Sequence, residues 1–235
     1  MVASLPTTTP VELVLEALEC SELFQSLEQP QKLAIARQCE FLQLPRNANL
    51  LEFGERSNSL LLIVSGRVQV LVELPNGRRV AFREAGPGDT IGEFSAIDGR
   101  PRSADVLSLE EVSIAVMPQH EFSALRSVHA SIDEILMRQL LRQVRELTAR
   151  VVSLTHLSTA ERLVQAVLQR ATPDLRGGVL FPRCNQSQLA SEIGARREEV
   201  NRIIQKWRRT GLFHREADGD YIPDIGQLPL GKVLK

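Results

Sequence analysis

The spacing of apolar residues along the chain changes twice, from helical to alternating and back. Val11, Val14, Leu15 and Leu18 fall at i, i+3, i+4 and i+7, the stripe of an amphipathic helix. Thr9-Pro10-Val11-Glu12 precedes them. Thr9 can cap, Pro10 suits the first helical position, and Glu12 completes a capping box. A second helix is predicted over Gln29 to Cys39. From about Glu40 the period shortens. Short apolar runs appear at Leu60–Val64, Val68–Val72 and Val80–Phe82, with the last strands between Leu107 and Met117. Turn residues separate them at Gly54-Glu55, Ser65-Gly66, Pro75-Asn76-Gly77 and Gly86-Pro87-Gly88-Asp89, and Asn76-Gly77 is a strong hairpin signal. Many short strands with glycines at the corners predict a small antiparallel barrel or jelly roll.

After Phe122 the helical period returns. Met137, Leu140, Val144, Leu147, Val151 and Leu154 follow alternating steps of three and four, a heptad seam with Arg138, Arg142, Arg145, Glu146 and Arg150 off it. Two readings fit: an amphipathic helix packed on its own domain, or a dimer coiled coil. The narrow stripe favours the coiled coil, because a globular helix usually buries a wider face. Ser158-Thr159-Ala160-Glu161 is a second capping box, so Leu154 to Ser158 is the expected hinge and domain boundary. The new helix is expected to run to about Ala171, where Pro173, Gly177 and Gly178 break it.

Composition narrows the class. The chain has 235 residues, 43% hydrophobic and 24% charged, which suits one large or two small globular domains. No apolar run reaches the roughly 18 residues of a membrane span, and the N-terminus lacks the pattern of a signal peptide. A cytoplasmic protein with no membrane partner is expected. Cys20, Cys39 and Cys184 are odd in number and widely spaced, and the four histidines form no close pair, so neither a disulfide framework nor a metal site is expected. Residues 158–235 carry 13 Lys and Arg against 9 Asp and Glu. The whole chain has 28 against 29, which leaves 15 against 20 for the rest. A basic C-terminal part on an acidic N-terminal part is the asymmetry of a sensor joined to a nucleic-acid binder.

The stretch from Ile91 to Val106 carries the most specific chemistry. Glu93 offers an acceptor for a ribose hydroxyl inside a small, apolar loop. Arg102, nine residues on, offers charge-assisted and potentially bidentate hydrogen bonds to a phosphate. Gly92 lets backbone approach closely, Gly99 and Pro101 shape a turn, and Ser103 adds a hydroxyl and an N–H. Such an arginine and carboxylate could also be a structural ion pair across a hairpin. The order Gly-Glu, then Gly-x-Pro-Arg-Ser-Ala, closely resembles the phosphate-binding cassette of cyclic-nucleotide-binding domains. Ile63-Val64-Ser65-Gly66-Arg67-Val68 is similar to the strand–turn signature of the same domain. The resemblance implies that Glu93 holds the ribose 2′-hydroxyl and that Arg102 and Ser103 hold the cyclic phosphate. It further places Leu147 and Thr148, on the long helix, against the base. Thr148 fits a base contact and Leu147 does not, so these two positions leave the base open; cyclic AMP is the first expectation and cyclic GMP the second. An inherited cassette that binds neither is the third.

Residues 185–194 read as a capped short helix ending at a glycine turn, with Ala195 to Arg209 as a second helix. This is the helix-turn-helix plan. The first residues of the second helix reach base edges in the major groove: Arg197, Glu198 and Arg202, with arginine suited to guanine and glutamate to cytosine. Gln186 and Arg196 are assigned to the same interface. Lys206, Arg208 and Arg209 are expected at phosphates. Surface ion pairs on a solvated helix are the alternative. The pattern Arg-Glu-x-x-x-Arg is similar to the recognition helix of the cyclic-AMP receptor and fumarate–nitrate regulator superfamily, which implies a palindromic TGTGA-like site. Arg196 is a poor helix cap and departs from the family's usual Ser or Thr. Glu199 departs from a small hydroxyl residue. Leu212-Phe213, Asp218-Gly219-Asp220 and Tyr221-Ile222 predict a two-stranded wing, and Trp207 is expected in the core rather than stacked on a base.

The expected protein is thus α+β. Residues 1–130 form a cyclic-nucleotide-binding β-roll (jelly roll), 131–157 a dimerisation helix and hinge, and 158–235 a winged helix-turn-helix. It is expected to act as a ligand-responsive homodimer on double-stranded DNA and with RNA polymerase, with no cofactor besides the effector. No nucleophile–base pair, metal set or Walker-type loop points to an enzyme. A redox sensor on the same scaffold would need clustered cysteines, and Cys20 and Cys39 stand far apart.

Overall fold

The computed structural model of the protein describes residues 9–74 and 79–229. The expected turn at Asn76-Gly77 lies outside the described residues. These form two compact units: 9–73 with 82–142, and 74, 79–81 with 143–229.

In the first unit the capping box of Thr9 and Glu12 starts α1 (Pro10–Cys20), with Glu12 N donating to Thr9 Oγ1 at 3.3 Å and Thr9 N to Glu12 Oε2 at 2.6 Å. α2 covers Gln29–Gln38. Eight strands come next: β1 (Glu40–Leu44), β2 (Asn49–Leu51), β3 (Leu60–Ser65), β4 (Val68–Glu73), β5 (Arg79–Ala85), β6 (Thr90–Ile91), β7 (Asp105–Ser108) and β8 (Val112–Met117). They make two four-stranded sheets, ordered β1-β8-β3-β6 and β2-β7-β4-β5. β8 pairs antiparallel with β1 and β3, and β7 with β2 and β4.

The continuous apolar run of β3 has a simple cause, which is burial on both faces. Leu60 and Leu62 pack with Val14, Leu18, Phe24 and Ile35 of the helical layer. Leu61 and Ile63 point the other way, into the roll with Val106 and Ile114.

α3 (Glu93–Asp98) lies between β6 and β7, so the cassette is not all loop as its composition implies. Two left-handed glycines frame the helix, Gly92 at φ 88° and Gly99 at φ 70°. α4 (Gln119–Val128) leads to α5 (Ala130–His156), a continuous helix of 27 residues. Ile132, Ile135 and Leu136 bury their side chains in the helical layer. Further along, Met137, Val144, Leu147, Val151 and Leu154 are all exposed, although they are apolar and spaced as one seam.

The two units part inside α5, between Arg142 and Gln143, upstream of the expected Leu154–Ser158 hinge. The later half of α5 is tied to the C-terminal elements. Arg150 Nη2 donates to Ser191 O at 3.2 Å and Glu192 O at 2.9 Å, and Ser153 Oγ bonds Gln165 Oε1 at 3.1 Å.

In the second unit Ser158 and Glu161 form the expected capping box of α6 (Thr159–Arg170). Then come β9 (Thr172–Pro173), β10 (Val179–Pro182), α7 (Gln186–Glu192), α8 (Arg197–Arg209), β11 (His214–Arg215) and β12 (Gly219–Ile222). Leu163, Val167, Leu189, Val200, Ile204, Trp207 and Phe213 share one core, with Trp207 4% exposed and its ring 5.0 Å from Phe213.

The structure differs from the sequence expectation at the start of α8 and in the wing. α8 begins at Arg197, not Ala195. Gly194 is left-handed, Ala195 N turns back to Ala190 O at 2.8 Å, and Arg196 stays extended (φ −86°, ψ 145°), so the turn takes two more residues. The wing is also larger than two strands. β12 pairs with β11 and with β10, and β10 with β9, in the order β11-β12-β10-β9. Phe213 precedes β11 and is not in a strand: its N–H donates to Trp207 O at 3.2 Å at the end of α8, with its ring in the core.

Candidate functional sites

Arg102 is the centre of the cassette, and it is 3% exposed. Its backbone is fixed first. Arg102 N donates to Glu55 O at 2.9 Å, and Gly54 N donates to Arg102 O at 2.9 Å, so the segment after β2 runs beside it. Every nitrogen of the guanidinium then finds an acceptor. Nε donates to Ser57 Oγ at 2.8 Å, and Nη1 to Gly92 O at 3.0 Å. Nη2 donates to Ser59 O at 2.8 Å and to Ser59 Oγ at 3.3 Å.

All these acceptors are neutral. No carboxylate among the described residues lies within ion-pair distance of Arg102, which removes the reading of a structural ion pair. Burial pulls its pKa below the ordinary guanidinium value, opposed by the more distant charges of Glu55 and Glu93. An arginine stays cationic regardless. A buried cation without a contacting counterion is unfavourable by itself, and it suits a site that receives an anion.

Gly92 serves this arginine directly. A Cβ there would come within 2.5 Å of Arg102 Nη1 and 3.0 Å of Ser59 O, and φ is positive, so only glycine fits. The close approach predicted for a ligand is thus already made by the guanidinium. Glu93, the first residue of α3, is buried, with Arg83 Nη2 3.9 Å from its carboxylate. The same Nη2 donates to Thr90 O at 3.0 Å. Ser103 is exposed. Leu147 and Thr148 belong to the second unit, and both are exposed. Thr148 Oγ1 donates to Val144 O at 2.8 Å, so its proton is used within α5.

Ser57 and Ser59 escaped sequence reasoning. They stand in a polar segment with no motif, more than 40 residues before Arg102. Only the fold brings them to it.

The helix-turn-helix builds a different surface. The Asn185 side chain caps α7, accepting from Ser187 N at 2.9 Å. Arg150 and Arg162 satisfy its last carbonyls, Arg162 Nε reaching Ile193 O at 2.8 Å. α8 is sharply two-sided. Val200, Ile204 and Trp207 are buried, while Arg197, Glu198, Arg202 and Lys206 are exposed. Arg196, at the N-cap position, is exposed and makes no cap bond. Among the described residues, the side chains of Arg196, Arg197, Arg202 and Lys206 have no hydrogen bond or ion pair, so the surface ion-pair reading fails for them. Gln186 is half-buried at the start of α7.

Arg208 differs, and its expected phosphate role needs correction. Its Nε and Nη2 donate to Asp220 Oδ1 and Oδ2, both at 2.7 Å, and Asp220 is 5% exposed on β12. This bidentate pair ties α8 to the wing, and the carboxylate raises the Arg208 pKa. The wing tip is held as well. Arg176 donates to Asp174 and Glu216 and lies 3.9 Å over the Tyr221 ring.

No group of residues suited to a metal occurs among the described residues, and the three cysteines are free. Burial pushes the Cys39 thiol up to about 11, so it is protonated at neutral pH. No helix among the described residues is long and apolar enough to cross a membrane.

Comparison with known proteins matches both parts of this architecture. The family model for the cyclic nucleotide-binding domain matches residues 41–129, and that for the Crp-like helix-turn-helix domain matches 161–229. A CRP-like cAMP-activated global transcriptional regulator of Mycobacterium tuberculosis is 27% identical over 217 residues, which span 91% of this chain and 97% of the relative. The cAMP-activated global transcriptional regulator CRP of Salmonella typhimurium is 27% identical over 172 residues, 71% of this chain and 81% of the relative. Among solved structures, the c-di-GMP-responsive global regulator CLP of Xanthomonas campestris shares the fold. Its TM-score is 0.69 at 19% identity, over 80% of this chain and 95% of that one.

Proposed function

Because the chain belongs to the Crp/Fnr family of transcription regulators, and is a DNA-binding regulator rather than an enzyme, we propose that it is a homodimer that binds cyclic AMP. On this reading the ligand controls its hold on a palindromic, TGTGA-like operator. The observation that carries the nucleotide assignment is Arg102, a buried cation held only by neutral acceptors. A cyclic phosphate supplies the missing negative charge. Glu93 takes the ribose hydroxyl and Ser103 assists at the phosphate. The cAMP-activated relatives support cyclic AMP as the ligand. Cyclic GMP is the second reading, because exposed Leu147 offers the base no hydrogen bond and the Thr148 hydroxyl donates to its own helix.

The exposed seam of α5 supports the dimer: an apolar stripe in water is covered by the same stripe of a second copy. On DNA, Arg197, Glu198 and Arg202 read base edges, and Arg196, Lys206 and Gln186 contact the backbone. RNA polymerase is the downstream partner, the cytoplasm the site of action, and residues 154–158 the hinge between dimer helix and DNA reader. Isothermal calorimetry of the full chain tests the ligand. Saturable binding of cyclic AMP at one site per protomer, tighter than cyclic GMP, is expected. No heat with either nucleotide overturns the reading.

A further inference from the structure

The cassette arginine is oriented by a segment that no cassette motif includes. From outside the cassette, Ser57 and Ser59, in the connection between β2 and β3, meet the Arg102 guanidinium. Backbone bonds at Gly54 and Glu55 fix that connection against Arg102 before the two serines are reached. A guanidinium has five N–H groups. Ser57 Oγ takes the one on Nε, Gly92 O takes one on Nη1, and Ser59 O takes one on Nη2 at 2.8 Å. This leaves the second proton of Nη1 and that of Nη2, the latter shared only with Ser59 Oγ at 3.3 Å. Adjacent terminal nitrogens with a proton each are the pair that a phosphate takes in bidentate form.

We propose that Ser57 and Ser59 are positioning residues of the anion site: they hold the Arg102 guanidinium in its receiving orientation before ligand arrives. The proposal rests on the reading of Arg102 as the cyclic-phosphate receptor. Two physical points give it content. A long, flexible arginine loses rotamer freedom on binding unless something has already fixed it. Neutral hydroxyl and carbonyl acceptors fix it without cancelling its charge, whereas a carboxylate in the same place would fix it and cancel it. Ser57 is the sharper of the two for a test, because its bond to Nε is made by the side chain alone.

The experiment is calorimetry of cyclic AMP on the full chain and on Ser57→Thr, Ser57→Ala and Ser57→Asp, with a thermal melt of each. Ser57→Thr keeps the hydroxyl and should bind within about twofold of the parent. Ser57→Ala loses one hydrogen bond and should bind about three- to tenfold more weakly. Ser57→Asp should bind weaker still, while melting no lower than Ser57→Ala, because its carboxylate pairs with the guanidinium. A residue that only supported the fold would lose binding and melting temperature together and would not separate them in this way. Equal affinity of the parent and Ser57→Ala, or Ser57→Asp binding no worse than Ser57→Ala, overturns the proposal and leaves the function intact. A parent that binds neither cyclic AMP nor cyclic GMP removes the cassette reading and the proposal together.

Discussion

Arg102 in the cassette and Arg202 on α8 are the same side chain in opposite settings. The first is 3% exposed and all three guanidinium nitrogens are bonded; the side chain of the second stands in water with no partner among the described residues. On the function proposed above, the difference follows from the ligand each would meet. A pocket for one small anion gains from a receptor that is desolvated and fixed, because a charge interaction strengthens as the local dielectric falls. A helix that must search along a polyanion gains from cations that stay hydrated and adjust to each base edge. Arg208, one residue before the end of α8, shows that position alone does not decide between the two. It lies on the recognition helix yet is locked into Asp220, as a structural part of the wing.

Truncating these side chains one at a time tests the contrast, and the cassette should show the largest change. Arg102→Ala removes the cation held by Ser57, Ser59 and Gly92. Calorimetry should find cyclic-nucleotide affinity lowered by about 3 kcal/mol, roughly 100-fold, with operator binding in the absence of nucleotide unchanged. Loss of both activities together would show that Arg102 mainly holds the fold. Arg208→Ala should come next, acting on stability. It strands a buried carboxylate, and a denaturant melt should show a loss of about 2–3 kcal/mol. Arg209→Ala, on an exposed side chain, should stay within about 0.5 kcal/mol. Equal effects of the two would place Arg208 back among the phosphate contacts.

Arg202→Ala should leave stability and nucleotide affinity alone and weaken operator binding by about 1–3 kcal/mol, with relaxed specificity at one base pair of each half-site. A uniform loss on all DNA sequences would instead make it a phosphate contact. The smallest change is expected of Lys206→Ala. Fluorescence anisotropy over a salt series should show the slope of log affinity against log salt reduced by about 1 per protomer, with sequence preference unchanged.

Local chemistry was legible in the chain, and long-range chemistry was not. The capping boxes at Thr9 and Ser158, the apolar run of β3 and the apolar face that carries Trp207 all arise from residues a few positions apart. The cassette motif, and with it the domain type, was legible for the same reason, since Gly92 to Ser103 is one short segment. Ser57 and Ser59 were invisible because hydroxyls carry no periodicity, and only tertiary pairing brings them to Arg102. β10 is four residues after two glycines, too short for a pattern, and its partner β12 lies about 40 residues on. The Arg208–Asp220 pair was missed for a related reason. On the sequence Arg208 is one basic residue beside another, and its partner is defined by how the wing folds back on α8.

The central claim joins the two regions: nucleotide at Arg102 should be felt at Arg202. Anisotropy titration of a TGTGA-like operator with the full chain, at one salt concentration, with and without saturating cyclic AMP, measures that coupling directly. Operator binding is expected to tighten with nucleotide by about 5- to 150-fold, a coupling of roughly 1–3 kcal/mol. Equal operator affinity in both titrations, with cyclic AMP demonstrably bound, would contradict it.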